Sequence, residues 1–94
     1  MTELLFYANA YLKICEAQVL TADERGIVLD RTVFYPLGGG QPGDVGSLRT
    51  EDGREVVIAD TRKGEAPGTV LHIPVSGSAP LYAGNRMVAA IDRR

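Results

Sequence analysis

The sequence predicts a mainly β protein, a small antiparallel barrel or sandwich with little or no helix. Three observations carry this. Glycine (11) and proline (5) interrupt the 94 residues at short intervals. The segments between the interruptions are short and rich in β-branched residues. Beyond the first few residues, no stretch of ten or more keeps a helical period.

Six strands follow from the alternation. The first is expected over residues 12–20, where Cys15, Ala17 and Val19 share a face opposite Glu16 and Gln18. Asp23-Glu24-Arg25-Gly26 reads as a polar turn. The second strand starts at Ile27 and runs through Leu29 toward Val33. A third spans residues 44–49, interrupted by Gly46. Glu51-Asp52-Gly53 is a hairpin signal, because Asp-Gly supplies the positive φ of a tight turn. The fourth, fifth and sixth strands are expected over 55–61, 69–75 and 86–92. In the last, Met87, Ala89 and Ile91 point inward. Residues 63–68 and 76–80 read as loops, neither long nor biased enough to be a domain linker. One domain over residues 1–94 is therefore expected, with a core buried by the 45% of hydrophobic residues.

Charge and cysteine content narrow the function classes. The net charge is −2 and the pI about 5.3, which lends no support to a dedicated nucleic-acid module. The basic pairs Arg62-Lys63 and Arg93-Arg94 read as solvated faces. A single cysteine, Cys15, allows no internal disulfide and fits a reducing, cytoplasmic setting. Its place on an alternating strand suggests a small buried thiol. No signal peptide is visible, and no apolar run approaches the roughly 18 residues of a membrane-spanning helix.

The informative stretch runs from Phe34 to Asp44. Three successive glycines, Gly38, Gly39 and Gly40, are costly to order, and Pro36 and Pro42 bracket them with fixed φ. Such a loop exposes backbone N–H groups that can cradle a carboxylate, carbonyl or phosphate oxygen. Gln41 adds an amide donor and acceptor. A structural corner of a barrel would use the same composition, so the residues alone leave both readings open. The stretch is neither a P-loop nor a dinucleotide fingerprint, since Gly-Lys-Ser/Thr and Gly-x-Gly-x-x-Gly are both missing. Thr32 stands on the strand feeding the loop. Asp30 and Asp44 could accept hydrogen bonds from its amides. His72 is the lone histidine, and such a residue is more commonly an internal hydrogen-bonder than a ligand.

The run Leu29-Asp30-Arg31-Thr32-Val33-Phe34-Tyr35-Pro36, followed by Gly38-Gly39-Gly40-Gln41-Pro42-Gly43-Asp44-Val45-Gly46, resembles the glycine-rich motif of the alanyl-tRNA synthetase editing region and of the free-standing alanyl-tRNA editing proteins of the AlaX type. Asp60-Thr61, His72 and Ile91-Asp92 also fit that pattern, so the resemblance covers almost the whole chain. It implies a six-stranded barrel of the translation-protein type. It implies a hydrolase that removes serine or glycine from mischarged alanine tRNA, so aminoacylated alanine tRNA is the expected partner. Thr32 would read the serine hydroxyl, Gln41 would face the pocket, and Gly38, Gly39 and Gly40 would shape its wall, with Asp30 and Asp44 in support. The family's zinc is held by a His-x-x-x-His and a later Cys-x-x-x-His, and neither pattern occurs here. The chain is therefore expected to be the amino-terminal part of a longer protein, with zinc ligands beyond Arg94, no catalytic residue of its own and no activity alone. The editing portion of an alanyl-tRNA synthetase and a non-enzymatic RNA- or protein-binding barrel are the alternatives.

Overall fold

The computed structural model describes residues 2–5, 12–36, 38, 42–65, 68–78 and 80–92. The described elements are all strands: β1 (Glu3–Leu4), β2 (Ile14–Asp23), β3 (Gly26–Leu29), β4 (Arg31–Thr32), β5 (Gly46–Thr50), β6 (Glu55–Lys63), β7 (Val70–Pro74) and β8 (Arg86–Ile91). Six of them close a barrel in the order β2-β3-β7-β6-β5-β8, and every ladder within it is antiparallel. Closure leaves none of the six as an open edge. The expected six-stranded antiparallel barrel is what the chain forms.

The inward faces follow the alternation. Ala17 and Val19 of β2, Ile27 and Leu29 of β3, Leu48 of β5, Val56 and Ile58 of β6, and Met87, Ala89 and Ile91 of β8 pack together in the core. Val33, Phe34 and Leu81 join them from outside the ladders. The two predicted turns close as hairpins. At Glu24–Arg25 the Asp23 carboxylate accepts the Arg25 N–H at 2.9 Å. At residues 51–54, Gly53 adopts φ +90° and its N–H donates to the Thr50 carbonyl at 3.1 Å.

The expected second strand does not run unbroken toward Val33. It ends at Leu29, bends at Asp30, and resumes as β4, which pairs in parallel with β1 in a separate two-stranded sheet. Asp30 causes the break by serving β2. Its carboxylate accepts the Gln18 N–H at 2.8 Å and its own N–H donates to the Gln18 carbonyl at 2.9 Å. The residues after it leave the barrel wall, and Thr32, Val33 and Phe34 are all buried. Two strands carry bulges. The register shifts between Val19 and Thr21 in β2, and between Ile58 and Asp60 in β6. The second shift turns Thr61 into the interior and Asp60 outward.

Candidate functional site: a glycine-rich loop pinned to the barrel

The two ends of the run from Phe34 to Asp44 are tied together. The Tyr35 N–H donates to the Asp44 carboxylate at 2.9 Å, and the Asp44 N–H donates to the Tyr35 carbonyl at 2.9 Å. Asp44 therefore clamps the neck of the loop with both side chain and backbone. The returning end is pinned to β6. The Thr61 hydroxyl donates to the Asp44 carbonyl at 2.7 Å, and the Gly43 amide bonds the Asp60 carboxylate. Gly43 lies so close over β6 that a Cβ there would stand 2.0 Å from the Thr61 carbonyl oxygen and 2.7 Å from its nitrogen. The carboxyl of Asp60 is held below its usual range by the Arg62 guanidinium first, and by the Thr61 and Gly43 amides as well.

The outgoing end is pinned from inside. Thr32 is fully buried, and its hydroxyl lies 2.7 Å from His72 Nε2 while accepting the Phe34 N–H at 2.9 Å. His72 Nδ1 lies 2.8 Å from the Ile27 carbonyl. A carbonyl only accepts, so Nδ1 carries the proton and Nε2 is the acceptor of the neutral ring. Thr32 must then donate its hydroxyl proton to Nε2. The imidazole also meets the Phe34 ring edge-on, with centroids 5.1 Å apart. Burial pushes the His72 pKa down to about 4, against a smaller raising effect of the Ile27 carbonyl. The histidine is thus an internal hydrogen-bonder with both ring nitrogens occupied.

The expected site residues divide accordingly. Thr32 and Asp44 sit at the two ends of the loop, each bonded to the barrel. Gly38 lies beside Lys63, whose Nζ would be 3.5 Å from a Cβ at that glycine. Asp30 is bonded to Gln18 of β2 and, among the described residues, its carboxylate makes no hydrogen bond to the loop. Gly39, Gly40 and Gln41 lie outside the described residues. No role at the loop was assigned to Thr61, Gly43 or Lys63 from the sequence. The Asp60-Thr61 pair was the available signal, but simple alternation from Ile58 puts Asp60 inside and Thr61 out.

No group of three or more histidine, cysteine or carboxylate side chains among the described residues could hold a metal ion. The donors do not fit zinc: His72 has no free nitrogen, and burial pushes the half-buried Cys15 thiol up. A raised pKa leaves little thiolate at neutral pH. Cys15 is therefore expected to react with iodoacetamide at pH 7 more slowly than free cysteine; mass spectrometry over time checks this, and alkylation at the free rate would contradict the burial.

Comparison with known proteins places this loop in a family. The profile of the tRNA synthetases class II (A) matches residues 5–94. The chain belongs to that family. Among relatives of this class II (A) chain, a protein named alanyl-tRNA editing protein AlaX-M from Pyrococcus horikoshii is 45% identical over 92 residues, covering 98% of this chain and 39% of the relative. The AlaX-M of Methanosarcina acetivorans is 44% identical over 98 residues, with the same two coverages. An alanine–tRNA ligase of Korarchaeum cryptofilum is 43% identical over 91 residues, which is 97% of this chain and 10% of the ligase. The chain thus spans 39% of the length of these AlaX-M relatives.

Proposed function

We propose that this chain is the barrel part of an alanyl-tRNA editing hydrolase, which removes wrongly attached serine or glycine from alanine tRNA. One observation carries the reading. Nearly the whole chain matches proteins named for alanyl-tRNA editing, and it matches ligases over only 10% of their length. The pinned ends of the glycine-rich run support it, because a rigid mount suits a segment that must meet an aminoacyl ester at the end of a nucleic acid. Gly38, Gly39, Gly40 and Gln41 are proposed to form a wall of its pocket, with Asp44 and Asp30 in support. Zinc is proposed to be held by residues outside this chain. The comparable identity of the Korarchaeum cryptofilum ligase keeps a second reading, the editing portion of an alanine–tRNA ligase.

Editing must distinguish serine from alanine by one hydroxyl, which a site that hydrogen-bonds the hydroxyl can do. Thr32 has a defined capacity for this. Its proton is committed to His72 and one lone pair to Phe34. Only one lone pair remains and the side chain is fully buried, so Thr32 could read a substrate hydroxyl solely as an acceptor, and only where substrate binding uncovers it.

The test is deacylation by the intact protein of alanine tRNA carrying serine, glycine or alanine. Serine and glycine should be released and alanine spared, and a zinc chelator should abolish release. No release, or equal release of all three, would defeat the editing reading; activity indifferent to chelation would defeat the zinc assignment. ATP-dependent activation of alanine by the same protein would favour the ligase. In this assay Thr32→Val is expected to lower serine-over-alanine selectivity by about 1–3 kcal/mol, the size of one lost buried hydrogen bond. Unchanged selectivity would remove Thr32 from recognition.

A further inference from the structure

We propose that His72 is a positioning residue for the glycine-rich loop: from inside the barrel it orients the Thr32 hydroxyl, which in turn holds the Phe34 amide at the point where the loop begins. This rests on the editing reading above and adds a residue to it. The argument begins with the cross-strand row in which His72 stands. On one side it pairs with Ile27 of β3, and on the other with Thr61 of β6. Ile27, His72 and Thr61 are all buried.

Each member of the row has a task toward the loop. The Ile27 carbonyl fixes the proton on Nδ1 and so makes Nε2 an acceptor. Nε2 takes the Thr32 proton at 2.7 Å, and the Thr32 oxygen takes the Phe34 N–H at 2.9 Å. Thr61, next in the row, donates at 2.7 Å to the Asp44 carbonyl where the loop returns. Both ends of the loop are therefore fastened to neighbouring residues of one β6–β7 pairing. The direction of the chain of bonds is enforced, since reversing any bond would set two donors or two acceptors against each other. The His72 ring additionally buttresses the Phe34 ring at 5.1 Å. A histidine is suited to the place because one flat ring supplies an acceptor to Thr32, a donor to β3 and a surface to Phe34. An aliphatic residue would leave the Thr32 hydroxyl free to rotate and the Ile27 carbonyl without this donor.

The role differs from proton transfer. Neither ring nitrogen is open to solvent or to a substrate, so His72 acts on chemistry only through where the loop sits.

The test compares the intact wild-type protein with His72→Gln and His72→Leu. Glutamine keeps an amide oxygen that can reach the Thr32 hydroxyl, and leucine keeps none. At a temperature where circular dichroism shows all three folded, His72→Leu should lower kcat for seryl-tRNA deacylation roughly 10- to 100-fold, the scale of a misplaced active-site wall. Its KM should stay within about twofold, and His72→Gln should recover kcat to within about threefold of wild type. Amide exchange over residues 33–45 should accelerate in His72→Leu while β5 and β8 stay protected. Unchanged kcat and exchange in His72→Leu, or an equal loss in both variants, would overturn the proposal. If wild type releases no amino acid, the editing reading fails, and the exchange comparison still decides the positioning role. If His72→Leu does not fold, nitrogen-15 NMR of the wild type decides: the proton on Nδ1 is expected, and a proton on Nε2 would overturn the chain of bonds.

Discussion

Gly43→Ala is expected to detach the glycine-rich loop from the barrel. The new methyl would stand 2.0 Å from the Thr61 carbonyl oxygen and 2.7 Å from the Thr61 nitrogen, both backbone atoms of a barrel strand. Neither can rotate aside as a side-chain tip would. Relief requires the loop to lift, and lifting breaks the bond from the Thr61 hydroxyl to the Asp44 carbonyl and the one from the Gly43 amide to Asp60. Overpacking of this kind plus a lost buried hydrogen bond should cost about 2–4 kcal/mol. Urea unfolding of the chain measures it. Under the proposed editing function, seryl-tRNA deacylation by the intact protein should fall by about 100-fold, because the loop would be misplaced by an ångström or more. A wild-type unfolding midpoint with full activity would show that the loop does not rest on β6.

The second large effect is a loss of stability in mild acid. His72 titrates at about 4 in the folded chain, against an ordinary value of 6.5. Between these values the unfolded chain binds a proton that the folded chain refuses. Stability therefore rises with pH from about 4 to 6.5 and is level above it. Over that window the group should account for on the order of 3 kcal/mol. It is the only histidine in the sequence, so no other imidazole of the chain titrates there. The carboxylates with lowered values, Asp23, Asp52 and Asp60, act in a lower window, below the ordinary aspartate value of 3.8. Urea midpoints of wild type and His72→Gln, taken from pH 4 to 8, isolate the effect. The wild-type curve should fall below pH 6.5 while the difference between the two shrinks or inverts. Parallel curves would mean that His72 is protonated inside the barrel or is not buried.

Much of this was legible in the sequence, for a local reason. Strands that are buried on one face announce themselves by alternation, and turns by the residues that permit them. Met87, Ala89 and Ile91 were assigned inward and are buried. Ala17 and Val19, expected on one face with Cys15, are buried while Cys15 is only half-buried, and the Asp52-Gly53 turn closes the hairpin it predicts. The loop from Phe34 to Asp44 stood out because three glycines between two prolines have no use in a plain strand.

Other features depended on contacts between residues far apart in the chain. The bulge at Ile58–Asp60 reverses the faces of Asp60 and Thr61, and its position is set by how β6 meets β7. The break after Leu29 is set by Asp30 reaching Gln18 on another strand. His72 could be read only as a lone histidine until Ile27, Thr32 and Phe34 were found around it, 45, 40 and 38 residues away in sequence.

The sequence by itself determined the barrel, because hydrophobic alternation and turn chemistry are properties of neighbouring residues. It also determined the family, through the likeness of a glycine-rich run to a known motif, although the composition of that run alone left a site and a barrel corner both open. Only the tertiary structure decided how that run is held. Hydrogen-bond partners across a closed sheet are chosen by register, and a single bulged residue changes which side chain meets which. The loop's two fastenings, through Thr32 to His72 and through Asp44 to Thr61, exist because closure brings β3, β7 and β6 side by side.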